Sequence, residues 1–105
     1  MILSDDAITG YLLRSCSENY FTSKVIAGFA KNAVFQEKTP LMGWSENLRE
    51  RNRVLFELKE NFSLKRIEPI LEKLVEGDSL EKDTRQVRKG KKMVYQTVYR
   101  LLANQ

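Results

Sequence analysis

The chain has 105 residues, 42% of them apolar and 30% charged, with a formal net charge of +4. This composition predicts one folded domain with a modest core and excludes an enzyme built from two domains around a cleft. No apolar run is long enough to span a bilayer, and Met1-Ile2-Leu3-Ser4-Asp5-Asp6 lacks the basic start of a secretory signal, so a cytoplasmic protein without a membrane partner is expected.

Histidine is absent and Cys16 is the only cysteine. A Ser-His-Asp triad, histidine-ligated zinc and an internal disulfide are therefore all excluded. Glu57 and Glu60 share a helical face, as ordinary surface pairs do, and no glycine-rich phosphate loop is present. No catalytic residue, metal site or cofactor is expected. Charge is unevenly spread: residues 1–48 carry a net −1 and residues 49–105 a net +5. Excess positive charge at one end points to a polyanionic partner.

The first helix is expected from Asp5 or Asp6 to about Cys16, with Ser4 or Asp5 as cap and Ile8, Leu12 and Leu13 facing inward. Residues 15–19 read as a turn. A second helix is expected from about Thr22 to Ala33, with Val25, Ile26, Phe29, Ala30 and Ala33 as its apolar stripe. Residues 34–43 break the pattern, because Pro40 blocks a regular helix and Gly43 follows. Leu41 and Trp44 are expected to fold back from this loop onto the core.

The third helix, capped by Ser45, is expected from Glu46 to about Asn61. Leu48, Leu55 and Leu58 set its period, Val54 and Phe56 broaden it, and Arg49, Arg53 and Lys59 lie toward solvent. Ser63 then caps a fourth helix whose apolar face is Leu64, Ile67, Ile70, Leu71 and Leu74, ending near Gly77. Pro69 leaves two versions of this helix: one runs through the proline, and a shorter one starts at Glu68 with Pro69 in the tolerated first turn.

After Gly77 the period changes from 3.6 to 2. A strand from Leu80, a tip around Gly90 and a second β-branched, aromatic strand over 93–99 read as a hairpin. Residues 99–103 are left as a short final helix or a trailing end. The expected fold class is α+β: a single winged helix-turn-helix domain, mostly helical, with a C-terminal two-stranded β-hairpin wing. Residues 1–44 form its N-terminal helices and loop, 45–77 the helix-turn-helix, and 78–99 the wing.

In such an order one helix crosses the DNA backbone, the next enters the major groove and the hairpin reaches phosphate or the minor groove. Leu58, Phe62, Ile67, Leu71 and Leu74 would point inward. Ser63, Lys65, Arg66, Pro69 and Lys73 would remain outside. Residues 82–92 carry Lys82, Arg85, Arg88, Lys89, Lys91 and Lys92 against Asp83 alone, a density that suits phosphate contact.

Over about residues 57–99 the chain resembles winged-helix regulators of the PadR type, and more distantly the MarR type. The resemblance rests on Ile67-Glu68-Pro69-Ile70-Leu71-Glu72-Lys73-Leu74 as a reading helix. Asp78-Ser79-Leu80 opens the first wing strand, with the glycine displaced to Gly77. Gly90-Lys91-Lys92-Met93-Val94-Tyr95-Gln96-Thr97 forms the basic end of the wing. It implies a small transcriptional regulator that binds double-stranded DNA. The long C-terminal helix through which PadR proteins dimerise has no counterpart, so a homodimer would use the N-terminal helices. The expected nucleic-acid contacts are Ser63, Lys65, Arg66, Lys73, Arg85, Arg88, Lys89, Lys91 and Lys92. The alternative is a winged-helix protein-interaction module without DNA binding, motivated by Glu68, Glu72, Glu76 and Asp78 on or beside the reading helix. Two lesser readings are a ligand pocket lined by Tyr11 and Trp44, and a redox role for Cys16, which its place at a helix C-terminus disfavours.

Overall fold

The computed structural model describes residues 2–38 and 48–102. Four helices precede a two-stranded antiparallel hairpin, an α+β arrangement. Helix α1, Asp5–Ser15, is capped by Ser4, whose Oγ accepts the Ala7 N–H at 3.1 Å. Asp5 and Asp6 occupy its first turn, where the helix dipole favours negative charge. Ile8 and Leu12 are fully buried.

Between α1 and α2 the chain touches the hairpin. Phe21 exchanges both backbone hydrogen bonds with Tyr99, each at 2.8 Å, and Ser17 accepts the Leu101 N–H at 2.7 Å. Two residue pairs thus tie the N-terminal half to the hairpin root.

Helix α2, Ser23–Lys38, runs five residues past the expected end. Its buried line is Ile26, Ala27, Ala30 and Val34, while Val25 and Phe29 face out at 45% and 61% exposure. The expected stripe was therefore rotated by about one residue. Val34 corrects it: read as loop, it is a core residue, and including it moves the centre of the buried face. Helix α2 is the hub, packing against α1, α3, α4 and the hairpin's second strand. Pro40, Leu41, Gly43, Trp44, Ser45 and Glu46, and with them the expected loop and cap, lie outside the described residues.

Helix α3, Leu48–Asn61, packs on α2 and buries Val54 and Leu58, leaving Leu48, Leu55 and Phe56 largely exposed. Its buried Asn61 is fully used. The Asn61 Oδ1 accepts the Leu3 N–H and an Arg66 N–H, both at 2.8 Å, and its amide donates to the Glu57 carbonyl.

Helix α4, Leu64–Glu76, starts after Ser63 and runs straight through Pro69. The longer of the two sequence versions is the one adopted. Pro69 is exposed, so water can satisfy the carbonyl that loses its helical partner. Ile67, Ile70 and Leu71 are buried and Leu74 half-buried, whereas Leu64 is 40% exposed. The helix closes with a Schellman motif: the Ser79 N–H reaches the Leu74 carbonyl and the Asp78 N–H the Val75 carbonyl. The left-handed residue is Asp78, at φ +62°, and not Gly77.

Strands β1, Leu80–Lys89, and β2, Lys92–Leu101, pair from Leu80↔Leu101 to Lys89↔Lys92. The connection is the two-residue turn Gly90-Lys91, with Gly90 at φ +62° in its first central position, as a type II′ turn requires. Strand β2 continues to Leu101, so the expected change at residue 99 does not occur. The cross-strand pairing and the Ser17 bond hold residues 99–101 extended. Leu80, Val98 and Tyr99 anchor the hairpin root, and residues 84–89 and 92–97 stand clear of the core.

Candidate nucleic-acid interface

The face of α4 opposite Ile67, Ile70 and Leu71 meets the hairpin through one carboxylate. Glu72 Oε1 accepts from Lys82 Nζ at 2.8 Å and from the Tyr99 hydroxyl at 3.0 Å. The Lys82 hydrogen bond holds the Glu72 carboxyl below the usual range, and the tyrosine bond adds to it. Burial, reinforced by Glu72, pushes the Tyr99 phenol up. This three-way contact sets how the hairpin stands relative to α4.

Between them lies a groove of about 520 Å³ lined by Ser23, Lys65, Glu68, Pro69, Glu72, Thr97 and Tyr99. Strand alternation places Thr84, Gln86, Arg88, Met93, Tyr95 and Thr97 on the hairpin face that carries Lys82 and Tyr99. The α4 groove therefore continues onto a polar and aromatic strand surface. Tyr95, 76% exposed, and Met93 are the large side chains on it.

The expected contact residues divide into three groups. Lys65, Lys73, Arg88, Lys89, Lys91 and Lys92 are exposed, and none has a charged partner among the described residues. Ser63 is half-buried and its hydroxyl makes no cap bond. Arg85 and Arg66 are already engaged. Arg85 stacks on Tyr20 at 4.1 Å on the opposite face of the hairpin, where Arg100 also meets Tyr20 and pairs with Glu81. Arg66 holds Asn61, the Leu3 carbonyl and, at 3.2 Å, Asp5, so it fastens the N-terminal segment to α4. Lys82 is spent on Glu72. Glu72 joins α4 to the root of the hairpin, while the tip residues Arg88, Lys89, Lys91 and Lys92 stand exposed beyond it; Arg66 and Arg85 are directed elsewhere.

A second groove, of about 410 Å³, lies between α2, the end of α3 and the start of α4, with Lys24, Lys31 and Lys59 around it. Lys24 and Lys31 were not singled out by the sequence reading. Their spacing of seven on one helix was the available signal.

The Tyr11 hydroxyl donates to Glu37 at 2.8 Å, which raises its pKa, and Arg14 lies over the ring; Trp44 is outside the described residues. Cys16 is half-buried, and burial pushes its thiol up to about 11. Among the described residues no helix is long and apolar enough to cross a membrane, and no cluster of three metal-ligating side chains occurs. Compared with protein families, with curated proteins and with solved structures, the chain matches none.

Proposed function

We propose that this chain binds double-stranded DNA as a small winged helix-turn-helix regulator, with α4 in the major groove and the hairpin as the wing. The observation that carries this reading is the continuous surface from α4 to the hairpin tip. Among the described residues Lys65 and Lys73 of α4 and Arg88, Lys89, Lys91 and Lys92 at the hairpin tip have no acidic partner, while Glu72 is neutralised by Lys82. Cations without acidic partners suit a phosphate backbone, Arg88 on the Lys82 face of the hairpin and Lys89 and Lys92 on the other side of its tip, and the exposed face of α4 suits base edges. The exposed Val25 and Phe29 of α2 supply apolar area for a homodimer through the N-terminal half. A reducing cytosol suits the unpaired thiol of Cys16.

Two variants test the reading, titrated against target and random duplex at one salt concentration. Arg88→Ala, Lys89→Ala, Lys91→Ala and Lys92→Ala together should weaken binding to both duplexes about equally, because phosphate carries no sequence information. Lys65→Ala with Lys73→Ala should also narrow the gap between the duplexes, each base contact being worth roughly 1–3 kcal/mol of discrimination. Full affinity in both folded variants would turn the assignment toward a protein-interaction module on the same scaffold.

A further inference from the structure

The groove between α2, α3 and α4 has a floor of small and buried apolar groups. Ala27 and Phe62 are each 5% exposed, and a Cβ placed on Gly28 would meet nothing within 4 Å. Lys24, Lys31 and Lys59 stand around this floor, and none has an acidic partner among the described residues. The acid of α2, Glu37, is occupied by Tyr11. Three lysines lining one concave surface concentrate positive charge there and raise the local potential. Such a surface is complementary to a polyanion.

Its position indicates which polyanion. Ser23 and Lys65 line the groove between α4 and the hairpin; their chain neighbours Lys24 and Leu64 line this one. The first turn of α4 therefore separates the two grooves, with the hairpin on one side and the three lysines on the other. A helix seated in the major groove has a phosphate backbone on each side, roughly 12 Å apart. The hairpin serves one of them.

We propose that the groove of Lys24, Lys31 and Lys59 takes the sugar-phosphate backbone on the other side of α4, so that the helix is held between two backbone contacts. This rests on the reading of the chain as a duplex-binding domain. The bare Gly28 position lets the backbone approach closely, and the Ser63 hydroxyl, which makes no cap bond, adds a donor at the rim.

The test is the dependence of duplex affinity on salt, measured for the full chain with a random-sequence duplex. Lys24→Ala, Lys31→Ala and Lys59→Ala together should make the slope of log K against log salt shallower by about 2–3, at roughly 0.9 per lost phosphate contact. Gly28→Glu, which places a carboxylate in open space on an exposed helix face, should also weaken binding and leave the melting temperature intact. Arg14→Ala, Lys38→Ala and Arg49→Ala together remove the same charge elsewhere and should keep the parent slope. A parent slope in the lysine variant, or an equal loss in the charge-matched control, would overturn the proposal. Failure of the parent protein to bind any duplex would instead overturn the DNA reading on which it rests. Binding of acidic peptides in the groove, with the salt slope unchanged by the lysine variant, would assign the groove to a protein partner.

Discussion

Arg66 and Lys65 are adjacent basic residues of one helix, yet the fold gives them opposite tasks. Lys65 lines the groove facing the hairpin, whereas Arg66 reaches back to Asn61, Leu3 and Asp5. Removing Arg66 leaves the Leu3 carbonyl without that donor and takes one partner from the buried Asn61. Arg66→Ala should therefore cost about 1–3 kcal/mol, read as a lower melting temperature, while Lys65→Ala should stay within about 0.5 kcal/mol and lose duplex affinity. Equal melting temperatures would refute this division. Cys16 makes a second residue-scale prediction. With its thiol pushed up to about 11 by burial, thiolate is scarce at pH 8, so maleimide labelling should be much slower than for a free cysteine and should accelerate as pH rises. Labelling at the free-cysteine rate would contradict it. Local periodicity placed α4 and, apart from the exposed Leu64, its inward face, but it could not assign Arg66, because the partners Leu3 and Asp5 lie some sixty residues away in sequence.

The elements were most legible where one local rule governs them. Alternation, β-branched residues and Gly90 sufficed for the hairpin, and Ser4 and Ser63 marked two helix starts. Helix α2 was misjudged because it is a hub: four neighbours decide its buried line, so Val25 and Phe29 satisfy a helical period while facing solvent. The close of α4 was also hidden, since Gly77 marks the right place but Asp78 takes the left-handed conformation. Asp78→Gly should relieve that strain and stabilise the fold by about 0.5–1 kcal/mol, raising the melting temperature by a few degrees; destabilisation would show that the Asp78 side chain contributes more than its backbone costs. The α4–hairpin joint carries a pH signature. A carboxyl whose folded pKa is depressed, as for Glu72, adds stability above its unfolded pKa and loses it as pH falls through the lower folded value. Unfolding free energy should thus fall below about pH 4 by an amount that Glu72→Gln reduces. The half-exposed Lys82 pair limits that difference to about 1 kcal/mol or less. An identical acid profile in the variant would remove Glu72 from the account.

At the scale of the molecule, the division of charge has a structural meaning. The basic second half supplies α4 and the hairpin, and four of its nine acids are ion-paired within it: Glu72 with Lys82, Glu81 with Arg100, and Glu50 and Glu57 with Arg53. The hairpin tip is left positive through Arg88, Lys89, Lys91 and Lys92, while the exposed Lys65 and Lys73 of α4 stand beside the exposed Glu68 and Glu76. The net charge was legible in the sequence; which charges cancel internally was not, because that depends on the strand register and on the contact between α4 and β1. The central claim, that these unpaired cations bind the backbone of duplex DNA, is tested most directly by the affinity of the unmodified protein for a duplex across about 50–200 mM salt. The account predicts a linear fall of log K with log salt, with a slope on the order of −5 or steeper if all six cations of α4 and the hairpin tip engage phosphates. Affinity that does not change with salt, or no binding at the lowest salt, would contradict it.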